Sequence, residues 1–197
     1  MHEIVDGSAE FGQETSLAMA SDGTLRIAYS DAITGELRFA YESGGEWVIE
    51  VVAVMPEPTP ALSLCLDEDD SAYLAYFDTT DGGLVMATRS LNRWTQEFVD
   101  PDQYAGLSCS VAVAPDSTLY VAYRDYDPDR LLLARKARGR WTREVVMTGY
   151  AVGTDASLRI APGGHLGISH YSGDDSALIY SSTKLLLRRP SPQFVSR

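Results

Sequence analysis

The chain has 197 residues, of which 45% are hydrophobic and 10% aromatic, and this composition excludes a disordered or collagen-like protein. Its formal net charge of −12 comes from 28 acidic and 16 basic side chains. Such a charge repels phosphate backbones and anionic lipids, so we expect neither nucleic acid nor a membrane surface as a partner.

The N-terminal part of the sequence shows no targeting segment. Met1 is not followed by a basic or apolar signal region, and no apolar run approaches the length of a membrane span. We therefore expect a soluble chain without a signal peptide. The sequence leaves its localisation unknown.

The chain repeats itself every 47 residues without a gap. Trp47, Trp94 and Trp141 are 47 residues apart. The same interval separates identical residues in the first three copies, namely Tyr29, Tyr76 and Tyr123, Asp31, Asp78 and Asp125, and Glu50, Glu97 and Glu144. A period in the forties made of short alternating segments is typical of a propeller blade. The sequence thus predicts an all-β propeller of four 47-residue blades, each with four antiparallel strands.

The first strand of each copy is predicted at residues 16–20, 63–67, 110–114 and 157–161. Large apolar residues alternate there with small ones, and only Arg159 in the fourth copy interrupts the column of small residues. Because the residues at alternate positions, which lie on the two faces of the strand, are otherwise uncharged, we expect both faces to be covered. The innermost strand of a blade requires this.

A turn rich in Gly, Pro and Asp follows, and the second strand is predicted at residues 25–29, 72–76, 119–123 and 166–170. The third strand begins at Leu37 and its equivalents in the other copies. It keeps a small residue at one position, occupied by Ala40, Ala87, Ala134 and Ser181. We expect the neighbouring blade to approach closely at these small residues.

The outer strand opens with a tryptophan in the first three copies and is predicted at residues 47–52, 94–99 and 141–146. A half-buried tryptophan at the same point of each outer strand is typical of an anchor against the adjacent sheet. Such an anchor contributes about 2–3 kcal/mol by buried area. We prefer this interpretation to sugar stacking.

The fourth copy lacks an outer strand in register, since Arg188 stands where tryptophan is expected. The missing strand is found at the other end of the chain, where Glu3–Asp6 matches Glu97–Asp100. We expect this N-terminal strand to close the last blade beside the strand of Leu178 and to leave no unpaired edge.

This closure is possible in two ways. One chain could seal itself as a monomer with four blades, or two chains could form a homodimeric ring of eight blades. In either case residues 1–184 form a single propeller domain. Residues 185–197 do not follow the repeat, and their two prolines predict an irregular tail.

The combined pattern of each copy resembles the repeats of bacterial β-propellers in the broad sialidase-like and lectin-like group. It consists of a serine-led strand, an Asp-Gly turn, an aliphatic-Ala-Tyr-x-Asp strand end, a Leu-x-x-Ala strand and a Trp-x-x-Glu strand. The resemblance implies a propeller fold and leaves the activity open, because propellers serve as lectins, hydrolases, lyases and docking proteins. The Ser-x-Asp-x-Gly-x-x-Trp turn of sialidase-like blades is absent from the sequence, and we place no arginine triad with a tyrosine nucleophile. A working sialidase is therefore not predicted.

The most regular polar feature is Tyr-x-Asp at the end of the second strand, which places all copies on one rim. Its residues are Tyr29, Asp31, Tyr76, Asp78, Tyr123 and Asp125, replaced in the fourth copy by His170 and Ser172. These groups could stack on sugars and hydrogen-bond to them. Alternatively, each aspartate caps its own loop while the tyrosine packs between blades, and we favour this structural interpretation.

The fourth copy departs from the others at Arg159 and His170, which we add to the candidate ligand-binding residues. An asymmetric active site would appear in such a deviant blade, with His170 and a nearby carboxylate as acid and base. Drift in a terminal blade explains the same changes. No catalytic residue is assigned on this basis.

Metal and disulfide sites are not predicted. The segment Asp125–Asp129 has carboxylates at alternate positions, as calcium loops do, but it lacks the turn glycine and ends its twelve positions at Lys136. We therefore expect solvated acidic turns, no metal and no cofactor. Cys65 and Cys109 fall in different columns of the repeat, so we expect two buried thiols and no disulfide.

The sequence thus favours a non-catalytic recognition or scaffold propeller that binds carbohydrate or a protein on its rim or channel mouth. The alternative is a glycoside hydrolase or lyase of the sialidase-like propeller type that uses the fourth blade.

Overall fold

The computed structural model describes residues 2–7, 11–184 and 193–196, which form four antiparallel sheets of four strands each. The first sheet contains β1 (Phe11–Met19), β2 (Leu25–Asp31), β3 (Glu36–Ser43) and β4 (Glu46–Val54). The second contains β5 (Leu62–Leu66), β6 (Ala72–Phe77), β7 (Leu84–Ser90) and β8 (Arg93–Asp100). The third contains β9 (Ala105–Val113), β10 (Leu119–Tyr126), β11 (Asp129–Ala137) and β12 (Arg140–Thr148). The fourth contains β13 (Thr154–Ile160), β14 (Leu166–Ser172), β15 (Ala177–Lys184) and β16 (Gln193–Ser196).

Each repeat of the sequence forms one sheet in which successive strands pair with one another. This confirms the all-β prediction and the four-stranded antiparallel sheets. The described residues contain no α-helix, and so no helix that could cross a membrane.

The chain divides into two compact units, Met1–Gln103 and Tyr104–Arg197. The first unit holds the first and second sheets, and the second unit holds the third and fourth. A single propeller domain over residues 1–184 stays a prediction.

The core of the first unit lies between its two sheets. Leu37 and Phe39 on β3 are 0% and 1% exposed, and they pack in one cluster with Leu64 on β5 and Leu74 on β6. Directly paired residues of antiparallel strands lie on the same face of their sheet, so each sheet has two faces that correspond from one copy of the repeat to the next. In the first unit, one of these faces on the first sheet packs against the other one on the second sheet. We call these the A face, which carries Leu37 and Phe39 in the first sheet, and the B face, which carries Leu64 and Leu74 in the second.

The second unit repeats this packing. Leu131 and Leu133 on β11 form the A face of the third sheet, and Leu158 and Ile168 form the B face of the fourth sheet. All four side chains are at most 1% exposed. The two units therefore build their cores from the same columns of the repeat.

A serine joins the inner strands of each pair of sheets. Ser16 Oγ accepts a hydrogen bond from Leu64 N at 3.0 Å, and Ser110 Oγ accepts one from Leu158 N at 3.0 Å. Since a buried amide without a partner is costly, these bonds let the inner strands of neighbouring sheets approach without a shared ladder.

The outer-strand tryptophan of the second sheet behaves as predicted. Trp94 on β8 packs edge-on against Phe39 of the neighbouring sheet, with ring centroids 5.2 Å apart. Its indole nitrogen donates to Glu50 Oε2 at 2.9 Å, and Glu50 also pairs with Arg89. This confirms Trp94 as an anchor between sheets. In the second unit, Trp141 Nε1 is buried without a hydrogen-bond partner among the described residues.

The predicted closure of the fourth sheet by the N-terminal strand is wrong within a single chain. Residues 2–7 belong to no strand, and β16 pairs with β15 instead, with Ser181 opposite Ser196 and Lys184 opposite Gln193. Hydrogen bonds hold the N-terminal segment on the first sheet. Asp6 accepts from Tyr29 Oη and Arg38 Nη1, each at 2.8 Å, while Glu3 accepts from Trp47 Nε1 at 2.8 Å.

The tail predicted to be irregular contains one strand, β16, at Gln193–Ser196. The rest of residues 185–197 lies outside the described residues.

The prediction that both faces of every inner strand are covered fails for β1. Leu17 and Met19, on the B face of the first sheet, are 62% and 70% exposed. Their equivalents on β5, Leu64 and Leu66, pack in the core of the first unit. The B face of the first sheet is thus apolar and exposed at Leu17 and Met19.

Neither cysteine forms a disulfide, and both Cys65 and Cys109 are half-buried. The expectation that both thiols are buried is therefore wrong.

Candidate functional site

The structure places the predicted Tyr-x-Asp residues at the ends of β2, β6 and β10, as expected for a common position in each sheet. All of them except Asp78 are buried, with side chains at most 5% exposed. Their participation in ligand binding stays a prediction. Their contacts agree with the alternative interpretation, in which each aspartate caps its own loop and each tyrosine packs between structural elements.

The aspartates bind their own loops. Asp31 Oδ1 accepts from Ile33 N at 2.7 Å, and Asp31 Oδ2 accepts from Thr34 Oγ1 at 2.5 Å. Burial raises the pKa of Asp31, but these hydrogen bonds outweigh it and leave the pKa below its usual value. Asp78 Oδ1 likewise accepts from Thr80 N at 2.7 Å. Each carboxylate closes the turn that follows its strand, as Asx turns do.

Asp125 has a different partner, because Arg130 follows it across the β10–β11 turn. Arg130 donates two hydrogen bonds to Asp125 Oδ2, and Asp127 N donates to Asp125 Oδ1 at 3.3 Å. The carboxylate is 0% exposed, so the arginine balances a charge that would otherwise be costly to bury.

The tyrosines pack between structural elements. Tyr29 donates to Asp6, and Tyr76 donates to Gln96 Oε1 at 3.1 Å. Burial raises the pKa of both phenols, and for Tyr29 the carboxylate of Asp6 raises it further. Both phenols are therefore neutral donors at physiological pH.

His170 takes the place of these tyrosines in the fourth sheet and is 1% exposed. Its Nδ1 lies 3.2 Å from Tyr171 O and its Nε2 lies 3.4 Å from Ser181 Oγ. Burial lowers the pKa of the imidazole.

Arg159 and His170 are not brought together. Arg159 pairs with Gly167 on β14, so it shares the face of Gly167, whereas His170 has the parity of the opposite face. Arg159 is exposed, and its Nη1 donates to Leu158 O at 2.8 Å. The two residues therefore do not form one site.

Sequence analysis missed a group of exposed aromatic residues on the second unit. Tyr104, Tyr126 and Tyr150 are 40%, 55% and 69% exposed, and they lie where β9 begins, where β10 ends and in the loop between β12 and β13. Since these positions are at the same end of the third and fourth sheets, we call the three residues the tyrosine rim.

Two of the rings are held against each other. Tyr126 N donates to Tyr104 O at 3.1 Å, and the ring centroids lie 6.4 Å apart at an angle of 52°. The guanidinium of Arg124 lies 4.9 Å from the centroid of Tyr126. This cation–π contact and the tilted ring pair fix the outward ring of Tyr126.

Arg124 connects the tyrosine rim to the next loop. It donates to Asp129 Oδ1 through Nε and Nη2, at 3.0 and 2.6 Å, and to Thr154 Oγ1 at 3.1 Å. Asp129 Oδ2 in turn accepts from Ala151 N at 3.1 Å. One charged pair thus links the β10–β11 turn to the β12–β13 loop.

Tyr150 is held by the β14–β15 turn. Its amide donates to Asp174 Oδ2 at 2.9 Å, and its carbonyl accepts from Gly173 N at 2.9 Å. A Cβ on Gly173 would lie only 2.6 Å from Tyr150 Cδ1, so glycine is required for this approach. The ring of Tyr150 is therefore exposed although its backbone is fixed.

The repeat could not reveal this rim, because its tyrosines fall outside the repeating columns. Thr79 stands 47 residues before Tyr126, and Gln103 stands 47 residues before Tyr150. A search for aromatic residues in the loops of only one half of the chain would have found them.

The acidic groups of the rim are engaged by protein donors. Asp125 and Asp129 pair with Arg130 and Arg124. Among the described residues, no cluster of three or more His, Cys, Asp or Glu side chains is arranged to hold a metal ion.

No family model matches the sequence, and no curated protein matches it. Solved structures are similar in fold. A protein of unknown function from Dyadobacter fermentans has a TM-score of 0.65 at 13% identity, over 89% of this chain and 66% of that one. The Hadza microbial sialidase Hz136 has a TM-score of 0.60 at 13% identity, over 93% of this chain and 45% of that one.

A bifunctional GH43-CE protein from Bacteroides eggerthii is also similar, with a TM-score of 0.55 at 15% identity over 91% of this chain and 25% of that one. The chain therefore spans less than two thirds of each of these three proteins. Together with the four sheets, the similarities show a β-propeller-like fold, and at such low identity they show the fold alone.

Proposed function

We propose that the chain is a non-catalytic carbohydrate-binding protein and that the tyrosine rim of the second unit is its sugar site. The observation that carries this proposal is the exposure of three tyrosine rings whose backbones are fixed by hydrogen bonds. Exposed rings on a fixed backbone offer apolar area at a small cost in conformational entropy.

The groups around the rings complete the chemistry that a sugar needs. A pyranose has an apolar face, which stacks on aromatic rings, and hydroxyl groups, which require donors and acceptors. Arg124 supplies donors beside Tyr126, and the carboxylate oxygens of Asp129 and Asp174 supply acceptors near Tyr150. A site with apolar rings and a few placed polar groups is typical of small-ligand sites.

The structural neighbours add support for this ligand class. Two of them are described as a sialidase and as a GH43-CE protein. The predicted ring of Tyr-x-Asp residues contributes to this proposal indirectly. Asp125 and Tyr123 lie at the end of β10 and position the strand that presents Tyr126.

A glycan array probed with the labelled chain tests this function. We expect binding to a limited set of glycans, with Tyr126→Ala and Tyr150→Ala each weakening it about tenfold, since one stacked ring is worth roughly 1–1.5 kcal/mol. Tyr126→Phe keeps the ring and should stay close to the native affinity. Leu91→Ala, at a residue 99% exposed in the first unit, serves as a control.

Two results would contradict the proposal. Binding that both alanine variants retain would place the sugar elsewhere, and the absence of binding to any glycan would favour a protein partner. Turnover of chromogenic glycosides by the native chain would replace the non-catalytic role with the hydrolase alternative.

A further inference from the structure

The A face of the fourth sheet is uncovered, although the same face is buried in other sheets. Leu178 and Tyr180 on β15 are 80% and 62% exposed. Their equivalents 141 residues earlier, Leu37 and Phe39, are 0% and 1% exposed in the core of the first unit. The fourth sheet thus carries core-type residues without a sheet to cover them.

The shape of this face suits packing against another sheet. Tyr180 lies across Gly167, where a Cβ would come within 2.8 Å of its hydroxyl oxygen. The missing side chain lets the ring lie on the sheet and present its apolar surface outward. Arg159 shares this face and is exposed beside it.

The B face of the first sheet, which is exposed at Leu17 and Met19, is the matching surface. In the first unit, the A-face residues Leu37 and Phe39 pack with Leu64 and Leu66, which are the equivalents of Leu17 and Met19. The second unit pairs Leu131 and Leu133 with Leu158 and Ile160 in the same way. The same contact between an A face and a B face thus forms in both units. It indicates that Leu17 and Met19 on a B face are the residues that fit on Leu178 and Tyr180.

We propose that the A face of the fourth sheet binds the B face of the first sheet of a second copy of this chain. Leu17 and Met19 of that copy then cover Leu178 and Tyr180. Ser157, the exposed equivalent of Ser16 and Ser110, accepts the amide of Leu17 of that copy.

The N-terminal segment fits the same arrangement. In the second sheet, Leu84 pairs with Asp100 and Met86 with Glu97. The equivalent pairs are Leu178 with Asp6 and Tyr180 with Glu3, 94 residues later on one strand and 94 residues earlier on the other.

The outer edge that this pairing needs is open. β16 pairs with β15 only from Ser181 to Lys184, so within the described part of the chain the outer edge of Ala177–Tyr180 carries no strand. Glu3 and Asp6 already lie on the first sheet through Trp47, Tyr29 and Arg38. A second copy therefore brings its B face and its N-terminal segment to β15 together.

The contact is between two different faces, and a pair of copies carries each of these faces twice, so two such contacts are available to it. Two copies supply eight sheets, which is within the range of about four to eight blades found in propellers. Three copies would exceed this range. We therefore infer a homodimer.

Sedimentation analysis of the full chain tests the inference. We expect a mass twice that of the 21.5 kDa chain, and a single-chain mass for Leu17→Glu and for Leu178→Glu. Both substitutions are at exposed positions, so the circular dichroism and melting temperature of each variant should show an intact fold. Leu91→Glu is the matched control and should remain dimeric.

Mixing the two variants provides a second test that does not depend on either one alone. A pair of Leu17→Glu with Leu178→Glu keeps one native interface and concentrates both defects in the other, so dimers should partly return. A single-chain mass for the native protein at all concentrations, a ladder of larger species, or dimers that both variants retain would overturn the inference.

Discussion

Trp94 donates its indole N–H to Glu50 at 2.9 Å, and Trp47 makes the same bond to Glu3 at 2.8 Å. Donors and acceptors are each 47 residues apart. Glu50 belongs to β4 of a neighbouring sheet, whereas Glu3 lies outside any strand. The N-terminal segment therefore stands in the position of an outer strand from a sheet that would precede the first one.

The first prediction concerns Glu50, which accepts hydrogen bonds from both Arg89 and Trp94. Glu50→Ala should lower the free energy of unfolding by about 1–3 kcal/mol, because it leaves two half-buried donors unpaired. Urea unfolding measures this. Glu46→Ala, at an exposed position of the same strand, should change it by less than about 0.5 kcal/mol. Equal effects of the two variants would show that the contact contributes no stability.

The second prediction concerns pH and His170. Burial lowers its pKa in the folded chain below the value of about 6.5 in the unfolded chain. Between these values the unfolded chain binds more protons, so stability is complete above about pH 6.5 and falls as the pH drops through the folded pKa.

Replacement by an aromatic residue that carries no titratable group should remove this dependence. The difference in stability between His170→Phe and the native chain should grow in favour of the variant from about pH 7 to pH 5. His165→Gln, at an exposed position, should follow the native curve. Parallel curves for the native chain and His170→Phe would contradict the prediction.

The third prediction concerns the bond between inner strands in the second unit. Ser110→Ala removes the acceptor of the Leu158 amide, which is buried, and should destabilise the chain by about 1–3 kcal/mol. Thermal unfolding provides the measurement. Ser90→Ala, in an exposed hairpin, is the control. An unchanged melting temperature for Ser110→Ala would mean that water or another group replaces the hydroxyl.

The fourth prediction concerns the approach of Tyr150 to Gly173. Gly173→Ala introduces a Cβ within 2.7 Å of Tyr150 O as well as its ring, so the loop must shift. We expect a loss of about 1–3 kcal/mol in stability and weaker glycan binding. Gly23→Ala, where a Cβ meets nothing within 4 Å but the φ of +85° is strained, separates the clash from backbone strain. Unaltered glycan binding by Gly173→Ala would show that the position of Tyr150 is unimportant.

The sequence predicted the sheets well because the repeat encodes contacts within and between neighbouring copies. The strand order and the anchoring role of Trp94 both follow from columns that recur every 47 residues. Hydrophobic alternation then sets which face of each strand is buried.

The ends of the array could not be predicted in the same way. The match between Glu3–Asp6 and Glu97–Asp100 indicated an outer strand, but it could not show that Asp6 binds Tyr29 and Arg38 of the first sheet. Nor could the repeat show that Leu178 is exposed. Its burial depends on whether another sheet packs against it, and the repeat does not determine this.

The tyrosine rim that we propose as the site was not predicted from the sequence, because a repeated residue and an exposed residue are different signals. Tyr76 and Asp31 recur in register, and the structure buries both. Tyr126 and Tyr150 recur nowhere in the repeat and are exposed. The repeat therefore identified residues that hold the sheets together, whereas the exposure of the tyrosine rim is seen only in the structure.

Hydrogen–deuterium exchange of the native chain, with and without the glycan that binds best on the array, tests the central claim most directly. We predict slower exchange in the β10–β11 turn and in the loop that carries Tyr150, with no change in the inner turn around Asp22. Protection confined to the turn of Asp22, or to the Tyr-x-Asp loops of the first unit, would contradict a sugar site on the tyrosine rim.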